Sequence, residues 1–436
     1  MSKPLKIAIV GAGSSYTPEL IEELARRQED LPVKEIALMD IDAERLGIMH
    51  GFCRRFARHL GYEAEFTATT DRRAAIEGAD FIDAQIRVGG NAARVNDEKI
   101  PLRYGLIGQE TTGAGGFAKA LRTIPAMLDL AREVERYSPD AWIVNYTNPT
   151  GLVTEAVTKY TGVRIAGLCS GGLAPQGLAA EALGVPRAGV RYDYAGLNHL
   201  NFAFNITIDG RPLTGEEFDR LAATSRAVDA ELIKKLRALP SGYLHYFYHT
   251  SQKVSQLREA SQTRGEVVLD LEKEVFAAYA DPGRVTKPEA LAKRGGGGYS
   301  EVAIGLMDAI HNDRDKWMVI NTPNRGAIRL LPDDAVVEIG CLVNRSGIRP
   351  LALASMPPAV WGLIAAVKNY EQLAVEAAVK GDKDLALLAL VAHPLVRDYD
   401  LARPLLDEIL AVNRPYLPQF FGDRDPESDV TKPAVR

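Results

Sequence analysis

Two side chains that can bind metal ions lie beside neighbouring apolar runs in the second quarter of the chain. Cys169 comes directly after the run 164–168, and His199 lies in a short connection between two strand-like runs, 192–197 and 201–208. A thiolate and a neutral imidazole are good ligands for a divalent transition metal. A buried cysteine can instead be a small packing residue, and a histidine in a turn can be held by hydrogen bonds. The pattern of these two residues leaves both interpretations open.

A glycine-containing turn connects the first predicted strand to the first predicted helix. At this place Gly11 permits a tight turn, and Gly13 lets the backbone approach a pyrophosphate at the helix N-terminus. Asp40 ends the next apolar run and can accept a hydrogen bond from a ribose hydroxyl, which favours NAD because a carboxylate repels the 2′-phosphate of NADP. Glycine pairs also occur in other α/β turns, and Tyr16 replaces the third glycine of the dinucleotide fingerprint. The predicted cofactor-binding residues are Gly11, Gly13, Ser14, Ser15, Asp40 and Arg45.

Polar residues also follow two later strands of the predicted sheet. Arg87 and Arg94 come after the apolar run 81–86, and Asn148 follows a later strand. Open α/β sheets bind ligands at the carboxyl ends of their strands, and arginine captures phosphate or another oxyanion with two parallel hydrogen bonds. Asn148 has an alternative role as the cap of a helix whose first residue is Pro149. The arginines therefore predict an anion-binding edge of the sheet.

Strands alternate with helices in the first part of the chain, which predicts βαβ units and a parallel sheet with right-handed crossovers. The predicted strands are 5–10, 36–39, 65–70, 81–86, 141–146 and 164–168, and the predicted helices are 18–27, 43–59, 119–137 and one from residue 149. The later part is predicted to contain an antiparallel pair (192–197, 201–208), helices over 215–280, a glycine-rich loop at 293–299, strands at 316–321 and 335–341, terminal helices and a loose tail from residue 424.

These elements predict an α/β fold with two domains. The first is a Rossmann-like doubly wound parallel sheet over residues 1–190, and the second is a mixed α/β, helix-rich domain over residues 191–436. The combination is typical of lactate and malate dehydrogenases. In such folds the nucleotide lies where the strand order reverses, so the glycine turn and the arginines are expected to face one crevice.

The composition is typical of a soluble globular protein: 436 residues, a net charge of -5, 46% hydrophobic and 25% charged residues. The mild acidity argues against a nucleic-acid partner, which needs a basic face. We find no apolar run of roughly 18 residues or more, so no membrane-spanning helix is expected. The three cysteines are too few for a disulfide framework, so we expect a reducing compartment, the cytoplasm.

Eight segments carry a resemblance to a known family: GAGSSYTPEL, QIRVGGNAAR, DEKIPLRYGLIGQETTGAGGFAKALRTIP, DAWIVNYTNP, GLNHL, SGYLHYFY, TRGEVV and NTPNRGAI. The chain resembles glycoside hydrolase family 4, the NAD- and divalent-metal-dependent glycosidases, and most closely its 6-phospho-β-glucosidase branch. Such enzymes are exceptions to hydrolysis by two carboxylates. The resemblance implies a 6-phospho-β-glucoside as substrate, and we expect a homo-oligomer, a dimer or tetramer.

The resemblance also implies roles for individual residues. Cys169 and His199 would bind the divalent metal, with Mn²⁺ as the first candidate, and Tyr243 would remove the C2 proton of the sugar. In this chemistry NAD oxidises C3, the C1 aglycone leaves, water adds, and re-reduction regenerates the cofactor. A tyrosine with the ordinary pKa near 10 needs nearby positive charge to act as a base at neutral pH. The predicted substrate-binding residues are Arg87, Arg94, Asn148, Ser170 and Arg264.

One segment departs from the family pattern. The 6-phospho-β-glucosidases carry asparagine after the metal-binding cysteine and the α-specific members carry aspartate, whereas this chain has Ser170, Gly171 and Gly172. Serine is shorter and lacks the paired donor and acceptor of an amide. A second hypothesis is therefore an NAD-dependent sulfoquinovosidase, whose sugar carries a 6-sulfonate. A 2-hydroxy-acid-type dehydrogenase on the same fold is a third hypothesis, and an inactive NAD-binding protein is a fourth.

Overall fold

One mixed β-sheet runs through the part of the protein that the computed structural model describes, residues 4–295 and 297–422. Its strands are β1 (Leu5–Val10), β2 (Val33–Met39), β3 (Glu65–Thr69), β4 (Phe81–Ala84), β5 (Trp142–Asn145), β6 (Arg164–Gly167), β7 (Val190–Leu197), β8 (Leu200–Ile208), β9 (Arg211–Pro212), β10 (Leu239–Pro240), β11 (Lys316–Pro323), β12 (Val336–Asn344) and β13 (Gly347–Pro350). The predicted loose tail and Gly296 of the predicted glycine-rich loop lie outside the described residues.

Six parallel strands form one half of the sheet, in the order β3-β2-β1-β4-β5-β6. This is the strand order of two βαβαβ halves that meet between β1 and β4. Strands β1, β4 and β5 are buried along almost their whole length, because helices cover both faces of a doubly wound sheet. The prediction of a Rossmann-like parallel sheet is confirmed.

Antiparallel strands continue the same sheet beyond β6, where Asn321 on β11 lies opposite Gly167. The order continues β11-β12-β7-β8-β10, and β7 and β8 form the antiparallel pair that the sequence predicted. Strand β13 pairs with β12, and β9 pairs with β8; neither of these short strands, nor β10, was predicted. The sheet therefore continues past residue 190, and the division into two domains at that residue stays a prediction.

Helices cover the sheet and form most of the last part of the chain. The α-helices are α1 (Thr17–Arg26), α2 (Ala43–His59), α3 (Arg72–Ile76), α4 (Gly90–Arg103), α5 (Gly113–Tyr137), α6 (Thr150–Tyr160), α7 (Ala174–Leu183), α8 (Gly215–Ala223), α9 (Ala230–Leu236), α10 (His245–Tyr248), α11 (Thr250–Glu259), α12 (Arg264–Ala280), α13 (Ala290–Lys293), α14 (Tyr299–His311), α15 (Pro358–Lys380), α16 (Lys383–Ala392), α17 (Tyr399–Asn413) and α18 (Pro418–Phe421). Within the described ranges, none of them is long and apolar enough to cross a membrane.

The helix predictions were incomplete, and one alternative was wrong. Helices α3, α7, α13 and α14 were not predicted. Helix α4 was also missed, because its buried side chains include Arg94, Asp97 and Glu98, so the apolar period of a core-facing helix is missing. The alternative in which Asn148 caps a helix that begins at Pro149 is wrong. Helix α6 begins one residue later, Pro149 itself is the N-cap residue, and no side chain caps the helix.

Candidate active site

A cavity of about 1320 Å³ opens at the carboxyl ends of the parallel strands, where β1 and β4 meet. Most of the predicted site residues line this cavity: Gly11, Gly13, Ser14, Asp40, Arg45, Arg87, Arg94, Asn148, Tyr243 and Arg264. The remaining four, Ser15, Cys169, Ser170 and His199, are not among the residues that line it. Residues from both parts of the chain therefore surround one crevice.

The turn after β1 has the close backbone packing that a dinucleotide turn requires. Gly11 has φ +91°, and a Cβ atom there would lie 2.8 Å from the carbonyl oxygen of Gln85. Gly13 donates its backbone N–H to Asp40 Oδ2 at 2.8 Å, and a Cβ atom at Gly13 would lie 2.7 Å from the same oxygen. Only glycine fits these two positions. Asp40 is thereby held against the turn, in the position predicted for the residue that binds ribose.

Arg45 and Ser15 support the turn from behind. Arg45 donates to the carbonyl oxygen of Gly13 through Nε at 3.2 Å and Nη2 at 2.9 Å, and Nη2 also contacts Glu272 at 2.8 Å. Ser15 is fully buried and donates its hydroxyl to Glu272 Oε1 at 2.7 Å. Glu272 on α12 thus ties the second part of the chain to the nucleotide turn. The sequence assigned it no role, because an acid on a helix far along the chain carries no local signal.

His199 sits at the tip of the β7–β8 hairpin with φ 63°, and its ring is held by a chain of hydrogen bonds. The backbone N–H of Thr111 donates to Gln109 Oε1 at 2.6 Å, which identifies that atom as the amide oxygen. The Thr111 hydroxyl also donates to this oxygen, at 2.9 Å, so it must accept from His199 Nδ1, 2.8 Å away. The lone pair of the His199 ring is therefore on Nε2, as a metal ligand requires.

The ionisation of Cys169 and His199 fits a cation site. Burial lowers the pKa of His199 to about 4, so the ring is neutral at neutral pH. Burial, with the negative charge of Glu338, raises the pKa of the Cys169 thiol to about 12, so the thiol ionises only when a cation displaces its proton. Tyr194 Oη and Asn201 Oδ1 are buried without a hydrogen-bond partner, and both residues line the cavity. These donors suit a divalent cation.

The cation site would be open on the cavity side. Across residues 4–295 and 297–422, no three His, Cys, Asp or Glu side chains come together as a complete metal cage. Two protein ligands leave coordination positions for substrate oxygens or water, which is typical of a catalytic metal and not of a structural one. The residues predicted as ligands thus fit a catalytic site.

Tyr243 stacks on the ring of His199, with centroids 3.8 Å apart and an interplanar angle of 12°. It lies in the short 3₁₀ turn Gly242–Leu244, which follows β10 at the edge of the sheet. Burial raises the pKa of Tyr243 above its ordinary range, the thiolate form of Cys169 and the negative charge of Glu110 act in the same direction, and Arg94 opposes them. In the protein alone Tyr243 is therefore a neutral phenol.

Glu110 is the centre of a charged cluster that the sequence only partly revealed. Its carboxylate contacts Arg87, Lys119 at 2.7 Å and Arg94 at 3.1 Å. Burial opposes ionisation of Glu110, but the three cations hold its pKa well below its ordinary range. Burial and the charge of Arg87 lower the pKa of Lys119 to about 7. Lys119, a lysine in the apolar first half of α5, is the sequence signal for this buried cation.

Arg264 and Ser170 lie near the glycine-rich loop. Arg264 is the first residue of α12, and its Nη2 donates to the carbonyl oxygens of Lys293 at 3.0 Å and Arg294 at 2.7 Å. Ser170 begins a 3₁₀ turn directly after Cys169, and a Cβ atom on Gly298 would lie 3.7 Å from its Cβ atom. The loop is thus packed against the segment in which this chain departs from the family pattern.

Comparisons with known proteins agree with this architecture. The profile described as "Family 4 glycosyl hydrolase" matches residues 6–185, and the profile of its C-terminal domain matches residues 194–396. A malate dehydrogenase from Plasmodium falciparum matches with a TM-score of 0.52 at 14% identity, covering 88% of this chain and 99% of that one. At this identity the likeness concerns the fold alone, and it confirms the dehydrogenase-like architecture.

Relatives match over nearly the whole chain. A probable 6-phospho-β-glucosidase of Bacillus subtilis (strain 168) is 41% identical over 438 residues, which cover 97% of this chain and 99% of that protein. The structure of the 6-phospho-β-glucosidase from Thermotoga maritima with NAD and glucose-6-phosphate matches with a TM-score of 0.89 at 36% identity, covering 95% and 99% of the two chains. A structure of the same enzyme with manganese, NAD⁺ and glucose-6-phosphate gives a TM-score of 0.87 at 36% identity, covering 94% and 99%. This chain therefore belongs to the family 4 glycosyl hydrolases.

Proposed function

We propose that this protein hydrolyses glycosides that carry an anionic group on C6, with 6-phospho-β-glucosides as the first candidates. The observation that carries the proposal is that a nucleotide turn, the four predicted arginines and Tyr243 line one cavity, and that the Tyr243 ring stacks on His199. The names of the relatives and the glucose-6-phosphate bound to the Thermotoga maritima enzyme support the same substrate class.

NAD and a divalent cation, Mn²⁺ first, are the proposed cofactors. Gly11 and Gly13 leave room for a pyrophosphate, and Asp40 would accept from a ribose hydroxyl. Cys169 and His199 would hold the cation, because one is a thiol that ionises on metal binding and the other presents a free Nε2. Bound together, these groups supply reversible hydride transfer at the sugar C3 and Lewis-acid stabilisation of negative charge on the sugar oxygens.

The residues of the protein bind and orient the sugar and move its proton. Tyr243 would take the proton from C2, at the place where its ring lies against the cation ligand His199. Arg94, Asn148 and Arg264 line the cavity and would hold the sugar and its anionic group, with Arg87 completing the positive wall. Ser15 and Arg45 would act on the cofactor through the turn that they support.

A sulfonate at C6 is the second candidate, and the Ser170 segment favours it. Ser170 lies between Cys169 and the glycine-rich loop and offers one hydroxyl where the phosphoglucosidases offer an amide. A changed contact beside the metal ligand is a reason to test a different anion. A sulfonate carries one negative charge, and the cavity arginines can bind it as they bind a phosphate.

The test is a panel of p-nitrophenyl glycosides, 6-phosphogluco and 6-sulfo sugars in both anomers, with and without NAD⁺ and Mn²⁺. We expect release of nitrophenol from the 6-phospho-β-glucoside only when both cofactors are present, without accumulation of NADH. Preference for the 6-sulfo sugar would select the second candidate. NADH formed mole for mole with product would indicate a dehydrogenase, and NAD⁺ binding without turnover of any glycoside would indicate an inactive binding protein.

Three expectations about location, assembly and domain organisation belong to the same proposal. We propose a cytoplasmic location, a homo-oligomer (dimer or tetramer), and two domains that meet at residue 190. The reduced thiol of Cys169 suits a reducing compartment. Fractionation, sedimentation velocity and limited proteolysis near residue 190 test these expectations in turn.

A further inference from the structure

A buried carboxylate lies beneath the two segments that carry Cys169 and His199. Glu338 stands in the middle of β12, and only 1% of its surface is exposed. Within residues 4–295 and 297–422 no lysine, arginine or histidine forms an ion pair with it. Moving a carboxylate out of water without a counter-charge costs several kcal/mol. Other polar groups must therefore compensate for its burial.

Three asparagine amides provide this compensation. Asn198 Nδ2 donates to Glu338 Oε1 at 3.2 Å, and Asn321 Nδ2 donates to the same oxygen at 3.1 Å. Asn201 Nδ2 donates to the other oxygen, Oε2. Hydrogen bonds to a charged acceptor are stronger than those between neutral groups. The three amides thus hold the Glu338 carboxylate in one position, and the carboxylate in turn orients the three asparagine side chains.

The amides belong to the segments that carry the two metal ligands. Asn198 and Asn201 flank the His199 position at the tip of the β7–β8 hairpin. Asn321 donates a second bond to the carbonyl oxygen of Gly167 at 3.2 Å, at the end of the strand that leads into Cys169. One carboxylate therefore connects both ligand segments.

We propose that Glu338 is the positioning residue of the divalent-metal site, because it holds the segments of Cys169 and His199 together through asparagine amides. The inference rests on the proposed metal dependence.

The variant Glu338→Gln tests this role. A glutamine amide presents its own N–H groups to the asparagine N–H groups, so one side of the network loses its acceptor. Loss of a group that orients metal ligands costs about 10- to 100-fold in metal affinity. Asn198→Ala is the second variant, since Asn198 is only half-buried, adjoins His199 and donates to the Glu338 carboxylate. The matched control is Glu371→Gln, a buried carboxylate on α15 that pairs with Lys368.

The measurements are the Kd of Mn²⁺ from the electron paramagnetic resonance of free Mn²⁺, the Kd of NAD⁺ from fluorescence quenching, and Tm. For Glu338→Gln and Asn198→Ala we expect the Kd of Mn²⁺ to rise about tenfold or more, with the Kd of NAD⁺ within twofold. Saturating Mn²⁺ should restore most of kcat. Glu371→Gln should lower Tm without a change in Mn²⁺ binding.

Each other outcome overturns the inference. An unchanged Mn²⁺ affinity in folded Glu338→Gln excludes the positioning role, and if that variant does not fold, an unchanged affinity in Asn198→Ala excludes it. A parallel loss of Mn²⁺ and NAD⁺ affinity, matched by Glu371→Gln, would mean that Glu338 only stabilises the fold. A wild-type protein that binds no Mn²⁺ would instead refute the proposed metal dependence from which the inference starts.

Discussion

The variant Tyr243→Phe removes one hydroxyl and so tests the proposed base without changing the other groups of the site. The phenyl ring keeps the stack on His199, whose centroid lies 3.8 Å from that of Tyr243. We therefore expect the fold and the Mn²⁺ affinity to be preserved. Only the group that would take the C2 proton is lost.

The magnitude follows from the charges around Tyr243. Burial raises the pKa of Tyr243, and Cys169 and Glu110 add to the effect. To lower a tyrosine pKa from its ordinary value near 10 to 7 requires about 4 kcal/mol, and burial adds to this. Two unit charges about 4 Å apart interact by about 4 kcal/mol at an effective dielectric constant of 20, and a dication doubles this. The phenolate therefore forms at neutral pH only beside a bound cation.

The assay is the exchange of the sugar C2 proton in deuterated water, followed by nuclear magnetic resonance with NAD⁺ and Mn²⁺ present. Loss of a general base costs about 10²- to 10⁴-fold, so exchange and kcat should fall together by that factor. Tyr248→Phe, a half-buried tyrosine of the same segment outside the cavity lining, is the control and should behave as wild type. In the wild type, the rate of C2-proton exchange should rise with pH, and the pH at which it rises should become lower as Mn²⁺ is added.

Two results would refute this reasoning. Exchange in Tyr243→Phe within threefold of the wild-type rate would exclude Tyr243 as the base. A pH dependence of the exchange rate that is the same with and without Mn²⁺ would mean that the cation does not ionise the phenol. Either result would redirect attention to Lys119, whose pKa burial and Arg87 lower to about 7 and which also lines the cavity.

Three further changes test the rest of the site and the stability of the fold. Cys169→Ser should remove the stimulation by Mn²⁺ while NAD⁺ affinity is kept, and retained stimulation would exclude the thiol as a ligand. Arg264→Ala should raise KM about tenfold or more for 6-phospho sugars, since a charged hydrogen bond contributes about 1.5–3 kcal/mol, and an equal rise for neutral glycosides would contradict an anion contact. Burial lowers the pKa of His393 to about 3, so below pH 6.5 the unfolded state binds a proton that the folded state does not bind. The free energy of unfolding therefore decreases as the pH falls below 6.5. Between pH 6.5 and 5 the free energy of unfolding should decrease by about 2 kcal/mol on this account. The variant His393→Asn keeps an acceptor for the N–H of Leu395, and urea unfolding of this variant should show a decrease that is smaller by about that amount. The same pH dependence in wild type and variant would show that His393 does not titrate as described.

Much of the fold could be predicted because its signals are local. The glycine turn, the alternation of apolar runs with helices and the antiparallel pair before and after His199 are all visible in short windows of sequence. Helix α4 was missed because its buried face is charged, with Arg94 and Glu98 paired inside the protein. The alternative in which Asn148 caps a helix was wrong because its side-chain oxygen accepts from the Thr150 hydroxyl and not from a backbone N–H of the helix.

The candidate site divides in the same way. Cys169, His199 and the glycine turn stand beside predicted strand ends, so residue type and position made them candidates, and the family resemblance implied the metal-binding role of Cys169 and His199. Glu272 and Glu338 were not selected, although a single acid in the apolar strand 336–344 was a usable signal. Their partners, Ser15 and the asparagines around His199, are far away in the chain. A local sequence pattern cannot predict a contact between residues so far apart in the chain.

Local patterns were therefore enough to predict the parallel sheet and the nucleotide turn, and the eight segments that resemble glycoside hydrolase family 4 indicated the family to which this chain belongs. Tertiary structure decided which side chains share a dielectric environment. Burial lowers the pKa of His199 and raises that of Tyr243, so both side chains are neutral in the protein alone at neutral pH. It also places the Glu338 carboxyl, which three asparagine amides hold, beside the segments of Cys169 and His199. The physical reason is that backbone preferences act over a few residues, whereas desolvation and Coulomb interactions depend on distances that exist only after the sheet has formed.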